Sequence, residues 1–97
     1  MDTTTKEKII DSLNHCGIPR HMHEAVVNYL LHGILSSDFL NAMLSNNLME
    51  TFARADLKNR AAIQNWVYWL YNDAPFGCHG SPKIVQSWID SFRKKDK

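Results

Sequence analysis

A chain of 97 residues has room for one small domain and a single hydrophobic core. Its 11 basic and 10 acidic side chains leave a formal charge of +1, which does not favour nucleic-acid binding through many phosphate contacts. No apolar run approaches the ~20 residues that cross a bilayer, and no hydrophobic segment follows the first charges. We therefore expect no membrane span, no secretory signal, and a cytoplasmic protein whose Cys16 and Cys78 stay reduced.

Turn and capping residues divide the first half of the chain into short predicted helices. These residues are Thr3 to Thr5, Gly17, Pro19, His32-Gly33, Ser36 or Ser37, and Asn46-Asn47. They predict a first helix that ends at Gly17, a second over about 20–31, and a third that contains 39–44. The two asparagines either interrupt the third helix or kink it into a short fourth one with apolar residues over 48–53.

The second half of the chain predicts one long helix, a constrained loop and a last helix. Asp56 is a good N-cap for a helix over 57–72, and aromatic side chains surround much of its axis. After a loop rich in Gly and Pro, Ser81-Pro82 supplies a cap and a first-turn proline for the last helix. Its apolar stripe is Val85, Trp88, Ile89 and Phe92.

Because no segment alternates apolar and polar residues for long, no strand is predicted, and the fold class is all-α. We expect one domain over 1–97, a compact bundle of five to six short helices with one long central aromatic helix. A frayed N-terminus over 1–4 and a basic C-terminal tail over 93–97 are expected at the ends.

The loop over 75–82 is the first candidate site. Gly77 and Gly80 would let backbone amides approach a ligand closely. The helix that starts at Ser81 offers free N–H groups to a phosphate or carboxylate, with His79 and Lys83 nearby. The plainer interpretation, which we favour, is a helix-to-helix connection stapled by Phe76.

The second candidate site combines arginines with the aromatic residues of the helix over 57–72. The arginines could grip a nucleotide phosphate while an aromatic ring stacks on the base, or the same rings could anchor a protein interface. The plainer interpretation is a capping and salt-bridge cluster beside core aromatics. Trp66, Tyr68 and Trp69 span too wide an arc for all three to be buried in a monomer, so at least one should meet a second subunit or a partner. The candidate binding residues of both sites are Arg54, Asp56, Arg60, Trp66, Tyr68, Trp69, Asn72, Phe76, His79, Gly80, Ser81 and Lys83.

The histidines and cysteines do not have the spacing of a recognised zinc module. The sequence also shows no recognisable catalytic pair of carboxylates and no Ser/His/Asp set. Cys78-His79 is superficially similar to a nucleophile and its base, but adjacent residues seldom supply that geometry. We expect no enzyme activity, no cofactor and no metal. One alternative stays open, a metal site that joins Cys16 to Cys78-His79 through the fold.

Several short segments between residues 18 and 90 resemble a group of known sequences. They are His32-Gly33-Ile34, Asp38-Phe39-Leu40, Asn47-Leu48, Arg54-Ala55-Asp56, Asn59-Arg60, Trp69-Leu70-Tyr71-Asn72, Pro75 and Gly80-Ser81-Pro82. This succession is similar to small uncharacterised proteins of temperate phages and prophages, for which no activity is known. The resemblance implies an accessory protein that acts in a bacterial host cytoplasm and modulates or blocks host machinery by binding.

Three functions follow as hypotheses. The first is a non-enzymatic helical binding protein, oligomeric, that inhibits a host protein such as a defence protein by direct contact. The alternative is a protein that sequesters a small nucleotide or anion against Arg54, Arg60 and the helix start at Ser81. The weakest is a helix-turn-helix DNA-binding regulator within 20–55, because the segment over 38–52 has no Lys or Arg to contact phosphates.

Overall fold

Helices fill most of residues 3–95, the part of the chain that this computed structural model describes, with side chains described over 6–93. The α-helices are α1 (Thr3–His15), α2 (His23–His32), α3 (Asp38–Leu44), α4 (Leu48–Arg54), α5 (Leu57–Ala61), α6 (Ile63–Asn72) and α7 (Pro82–Lys95). A short 3₁₀ turn, Arg20–Met22, leads into α2. Residues 3–95 contain no strand, which confirms the all-α prediction.

Four side chains cap helices where the sequence predicts a start. Ser37 Oγ accepts a hydrogen bond from the Leu40 N–H at 3.1 Å, and Asn47 Oδ1 accepts one from the Glu50 N–H at 3.1 Å. Asp56 and Ser81 act in the same way at the starts of α5 and α7. These caps satisfy N–H groups that have no partner inside the helix, and so fix where each helix begins. The two asparagines therefore separate α3 from a distinct fourth helix.

The predicted long helix over 57–72 is wrong, because the chain leaves helical geometry at Ala62. Ala62 has φ −101° and ψ 9°, and its N–H bonds to the carbonyls of both Lys58 and Asn59 at 3.1 Å. Such a tightened turn ends α5, and α6 starts at the next residue. The described residues therefore form seven α-helices instead of five to six, and α7 with 14 residues is longer than the 10-residue α6.

Two indole rings of α6 lie at the centre of the hydrophobic core. Trp66 and Trp69 are each 1% exposed and meet edge to face, with ring centroids 6.2 Å apart. Their ring N–H groups donate to Asn59 Oδ1 at 3.1 Å and to Ser12 Oγ at 3.0 Å. Both rings are thus buried without an unpaired polar atom, which is the condition for placing Trp in a core.

Tertiary hydrogen bonds hold the loop between α6 and α7 against the rest of the fold. The Tyr29 hydroxyl donates to the Cys78 carbonyl at 2.7 Å, and the Gly80 N–H donates to the Leu44 carbonyl at 2.8 Å. The Trp88 ring N–H donates to the Tyr29 carbonyl at 3.0 Å, which docks α7 on α2. The Cα radius of gyration is 12.8 Å, close to the ~13 Å of a compact domain of 100 residues.

The ends of the chain are described only in part. Helix α1 begins at Thr3 and α7 ends at Lys95. The remainder of the predicted frayed N-terminus and basic tail, residues 1, 2, 96 and 97, lies outside the described residues. Over the described part, no helix has both the length and the apolar character needed to span a membrane.

Candidate functional site

An open groove of about 340 Å³ runs between α4 and α6, and we call it the α4–α6 groove. Its lining is Met43, Asn46, Asn47, Leu48, Thr51, Ile63, Trp66, Val67, Leu70, Tyr71, His79 and Gly80. Most of these side chains are apolar. Among the described residues, no Lys, Arg, Asp or Glu lines the groove.

The wall on α4 follows from the cap at Asn47. Because α4 starts directly after this cap, Leu48 stands in the first turn and is 70% exposed. Thr51, one turn later on the same side, is buried. Residues three apart on a helix share a face, so Leu48 forms the rim of the groove and Thr51 lies deeper in its wall.

The wall on α6 is an apolar face distinct from the face that enters the core. Ile63, Val67 and Tyr71 recur at intervals of four residues and therefore line one side of the helix. Val67 is 56% exposed and Tyr71 88% exposed. Since Trp66 and Trp69 already supply the core contact, α6 carries more apolar surface than its own chain covers, and this excess lines the groove.

The composition of the groove is similar to that of the centre of a protein interface. Scattered apolar side chains on a surface are normal, but a connected apolar patch marks a place where another molecule binds. The centres of protein interfaces lose charged residues and gain aromatic ones. The groove fits this description in part, because Tyr71 is an exposed aromatic residue in its lining and the ten residues of α6 include no charged residue.

Of the twelve residues predicted from the sequence, the groove brings together Trp66, His79 and Gly80. Trp66 is buried beneath it, and the other two close one end. Leu48, Val67 and Tyr71, which form the exposed walls, were not among the predicted site residues. Their helical spacing in the sequence is typical of core residues. The signal that could have identified them is the large number of apolar residues on α6, which is more than one core-facing side needs.

Neither indole ring of α6 can stack on a nucleotide base, as the second hypothesis for this site requires. Trp66 and Trp69 are enclosed by their own chain, so neither has a face open to a nucleotide base. Tyr68 is 55% exposed but does not line the α4–α6 groove. Asn72, at the end of α6, uses its amide to donate to the Tyr68 carbonyl at 3.1 Å. Of the three rings, Tyr68 alone is left exposed for the predicted contact with a second subunit or a partner, and that contact stays a prediction.

The two arginines do not form an anion site. Arg54 Nε donates to Glu50 Oε1 at 2.6 Å and its Nη1 lies 3.7 Å from Asp38. The hydrogen bond that Arg54 donates to Glu50 raises the pKa of Arg54. Arg60 instead stacks its guanidinium over the Phe52 ring at 4.8 Å. Arg54 lines a polar cleft of about 570 Å³ between α3, α4 and α7 together with both carboxylates. An anion placed there would meet two negative groups for one positive group.

Asp56 caps α5 and pairs with a histidine instead of an arginine. Its Oδ1 accepts from the Asn59 N–H at 2.8 Å, and its Oδ2 lies 2.9 Å from His21 Nε2. The backbone hydrogen bond from Asn59, followed by the contact with His21, lowers the pKa of the Asp56 carboxyl. The predicted capping cluster is thus present at Asp56, with a different partner.

Asp56→Asn is expected to lower the Tm at neutral pH, because Asn keeps the cap but loses the charge beside His21 and the helix start. A carboxyl with a lowered pKa stabilises the fold above its ordinary value of 3.8, and this contribution disappears as the pH falls further. The Tm difference between wild type and Asp56→Asn should therefore shrink below that pH. Asp56→Ala, which also loses the cap, should melt below Asp56→Asn throughout. Equal melting of all three proteins at pH 7 would contradict the assignment.

Phe76 does not staple the loop, because it is fully exposed. Gly77 beside it has φ 88°, a left-handed conformation that turns the loop and leaves the ring in solvent. The Ser81 hydroxyl is already used as a cap, accepting from the Ile84 N–H at 3.2 Å. Lys83 is exposed on the first turn of α7. The loop over 75–82 thus connects α6 to α7, leaves Phe76 protruding, and contributes His79 and Gly80 to the α4–α6 groove.

The two thiols are buried and protonated. Cys16 donates to Asp73 Oδ2 at 3.4 Å, and burial together with this contact raises the pKa of Cys16 to about 11. Burial raises the pKa of Cys78 to about 12. Since the thiolate is the nucleophile and metal ligand, neither sulfur is activated at neutral pH. No group of three or more His, Cys, Asp or Glu side chains that could hold a metal occurs in the part of the chain described.

Comparison with models of protein families, with curated proteins and with solved structures found no match to this chain. The resemblance to phage-encoded proteins therefore stays an expectation from the sequence. Residue chemistry and the geometry of the groove are the basis for a function.

Proposed function

We propose that this chain is a non-enzymatic binding protein whose α4–α6 groove accepts an amphipathic helix of a partner protein. The observation that supports it is a solvent-open groove with apolar walls and, among the described residues, no Lys, Arg, Asp or Glu in its lining. Strand addition needs an exposed sheet edge, and residues 3–95 contain no strand. A helix that presents apolar side chains at i, i+3 or i+4, and i+7 fits a groove between two helices.

The dimensions and exposed groups of the groove suit such a helix. The ten residues of α6 are about 15 Å long, which matches roughly three turns of a bound helix. Leu48 and Val67 would lose their contact with water on binding. Full burial of a side chain of this type contributes about 1.5–3 kcal/mol, an upper limit here because both are already partly covered. A few such contacts must also offset the entropy cost of association.

For the biological setting we propose the one that the sequence resemblance implies. The chain would be a phage or prophage accessory factor in a bacterial cytoplasm that inhibits a host protein, for example a defence protein, by occupying one of its helices. Inhibition by occupation needs a binding surface and no catalytic group. The protonated thiols and the paired Arg54 are consistent with that requirement.

A selection from displayed helical peptides tests the groove. The peptides carry varied apolar residues at positions i, i+3, i+4 and i+7. They are selected on the immobilised wild-type protein. Selected peptides should bind Leu48→Glu at least tenfold more weakly, because a charge on the rim must be desolvated when the groove fills. The matched control is Leu57→Glu, since Leu57 also begins a capped short helix and is 79% exposed but does not line the groove.

Equal peptide affinity for Leu48→Glu and wild type would overturn the proposal, and so would a selection that yields no binder. Loss of affinity in both Leu48→Glu and Leu57→Glu would show that introduced charge alone weakens binding. Because both leucines are exposed, both variants should keep the wild-type circular dichroism spectrum and melting curve.

A further inference from the structure

We infer that, without a partner, a second copy of this chain covers the α4–α6 groove in an isologous dimer. This inference rests on the proposed function, because it names what occupies the same groove in the free protein. The chain itself supplies the ligand class proposed above. Helix α6 is an amphipathic helix with Ile63, Val67 and Tyr71 on one side, of which Ile63 is half-buried and the other two are exposed.

The charge distribution allows this face to contact a second copy of itself. In a contact with two-fold symmetry, each side chain near the axis faces the same surface of the other copy, so a charged residue there meets its own sign. The groove lining contains no Lys, Arg, Asp or Glu within the described residues. The nearest charged groups of α4, Glu50 and Arg54, pair with each other in the polar cleft, away from this groove.

This face has both a recess and projecting side chains. It carries a recess of about 340 Å³ and, on its two rims, the projecting side chains of Leu48 and Tyr71. An isologous contact uses the same patch on both molecules, so projecting side chains of each copy can enter the recess of the other.

The small exposed apolar area indicates that the dimer is weak and reversible compared with standard protein interfaces. A tyrosine buries 150–250 Å² when fully covered, so Tyr71 at 88% exposure offers on the order of 130–220 Å². With Leu48 and Val67 the apolar centre stays well below the ~800 Å² per partner of a standard interface, and polar groups must complete the rim. A contact of this size can give way to a better-fitting partner helix.

Sedimentation velocity over a concentration series tests the inference with the full chain. The wild-type protein should shift from monomer to dimer as its concentration rises. Leu48→Glu and Val67→Glu should remain monomeric at every concentration, because each copy would bring a charge to the shared apolar centre. Leu57→Glu and Gln64→Glu, which add the same charge outside the groove lining, should dimerise like wild type.

A photo-crosslinking residue at position 67 locates the contact, and we expect it to form a covalent dimer. A wild-type protein that stays monomeric throughout would overturn the inference, as would Leu48→Glu and Val67→Glu variants that dimerise like their controls. If the protein is monomeric but selected peptides still bind wild type and not Leu48→Glu, the inference fails and the proposed function stands. If the dimer forms through the groove and no selected peptide displaces the second copy, the proposed function fails and the inference stands.

Discussion

Replacing Trp66 with alanine is expected to lower the free energy of unfolding by about 3–5 kcal/mol, the largest effect of a single substitution that we predict. The ring is 1% exposed and packs edge to face on both Trp69 and Phe39, with centroids 6.2 and 5.6 Å away. A domain of this size has a total stability of about 5–15 kcal/mol, so the variant should lie near the limit of folding. Urea unfolding followed by circular dichroism measures the loss.

Part of that loss comes from a polar group instead of the cavity. The Trp66 ring N–H is the donor to Asn59 Oδ1, and Asn59 is only 2% exposed. Removing the indole leaves a buried amide oxygen without this donor, which costs about 1–3 kcal/mol where no water enters.

Trp66→Phe helps to separate the two contributions, because it leaves a smaller cavity than Trp66→Ala and removes the same donor. It should destabilise the protein less than Trp66→Ala. If Trp66→Ala instead unfolds at the same urea concentration as wild type, the indole does not lie in the core. Trp88→Ala is a comparison on another helix, and since Trp88 is half-buried its cost should fall below that of Trp66→Ala.

Gly33→Ala is expected to lower the free energy of unfolding by about 2–5 kcal/mol, for two separate reasons. Gly33 ends α2 with φ 67°, a left-handed conformation that costs a residue with a Cβ about 1–2 kcal/mol. A Cβ at this position would also lie 2.7 Å from Phe92 Cδ1 and 2.9 Å from Cγ, which is closer than carbon atoms approach. The ring and the end of α7 must then move, and such overpacking costs about 1–3 kcal/mol.

Gly77→Ala is the matched control for this prediction. Gly77 has φ 88°, but a Cβ there would meet no atom within 4 Å. Gly77→Ala should therefore show the backbone cost alone, and the difference between the two variants measures the clash with Phe92. Equal losses in chemical denaturation would show that α7 does not pack against Gly33 as described.

The parts of the fold that sequence analysis predicted well are those set by local chemistry. The caps at Ser37, Asn47, Asp56 and Ser81 form because a short polar side chain reaches N–H groups two or three residues along its own chain. The left-handed stop at Gly33 is likewise local. The sequence shows such interactions directly, since both partners are close in it.

The break at Ala62 has no such signal. Neither Gly nor Pro is present between Leu57 and Asn72 to end a helix. What accompanies the break is a contact across it, the buried hydrogen bond between Asn59 and Trp66. A pattern of apolar spacing gives the shared face of a segment but not the angle at which two segments meet.

The candidate site was hard to predict for a related reason. In the sequence, Ile63, Val67 and Tyr71 share the helical spacing of Trp66 and Leu70, and the core is the usual destination of apolar residues at such spacing. The structure gives the core to Trp66 and Trp69 and leaves the second apolar side open. A helix with two apolar sides can pack either side against its own chain. The choice depends on tertiary packing, and the spacing of apolar residues does not predict it.

Because both sulfur atoms are buried, the rate at which they are chemically modified reports local opening of the fold. Alkylating reagents attack the deprotonated sulfur, and Cys16 and Cys78 are shielded from water with raised pKa values. Their rate of modification is then governed by how often the surrounding structure opens. One sulfur follows the first helix and the other lies in the loop before the last, so the order in which they react would show which end of the molecule loosens first.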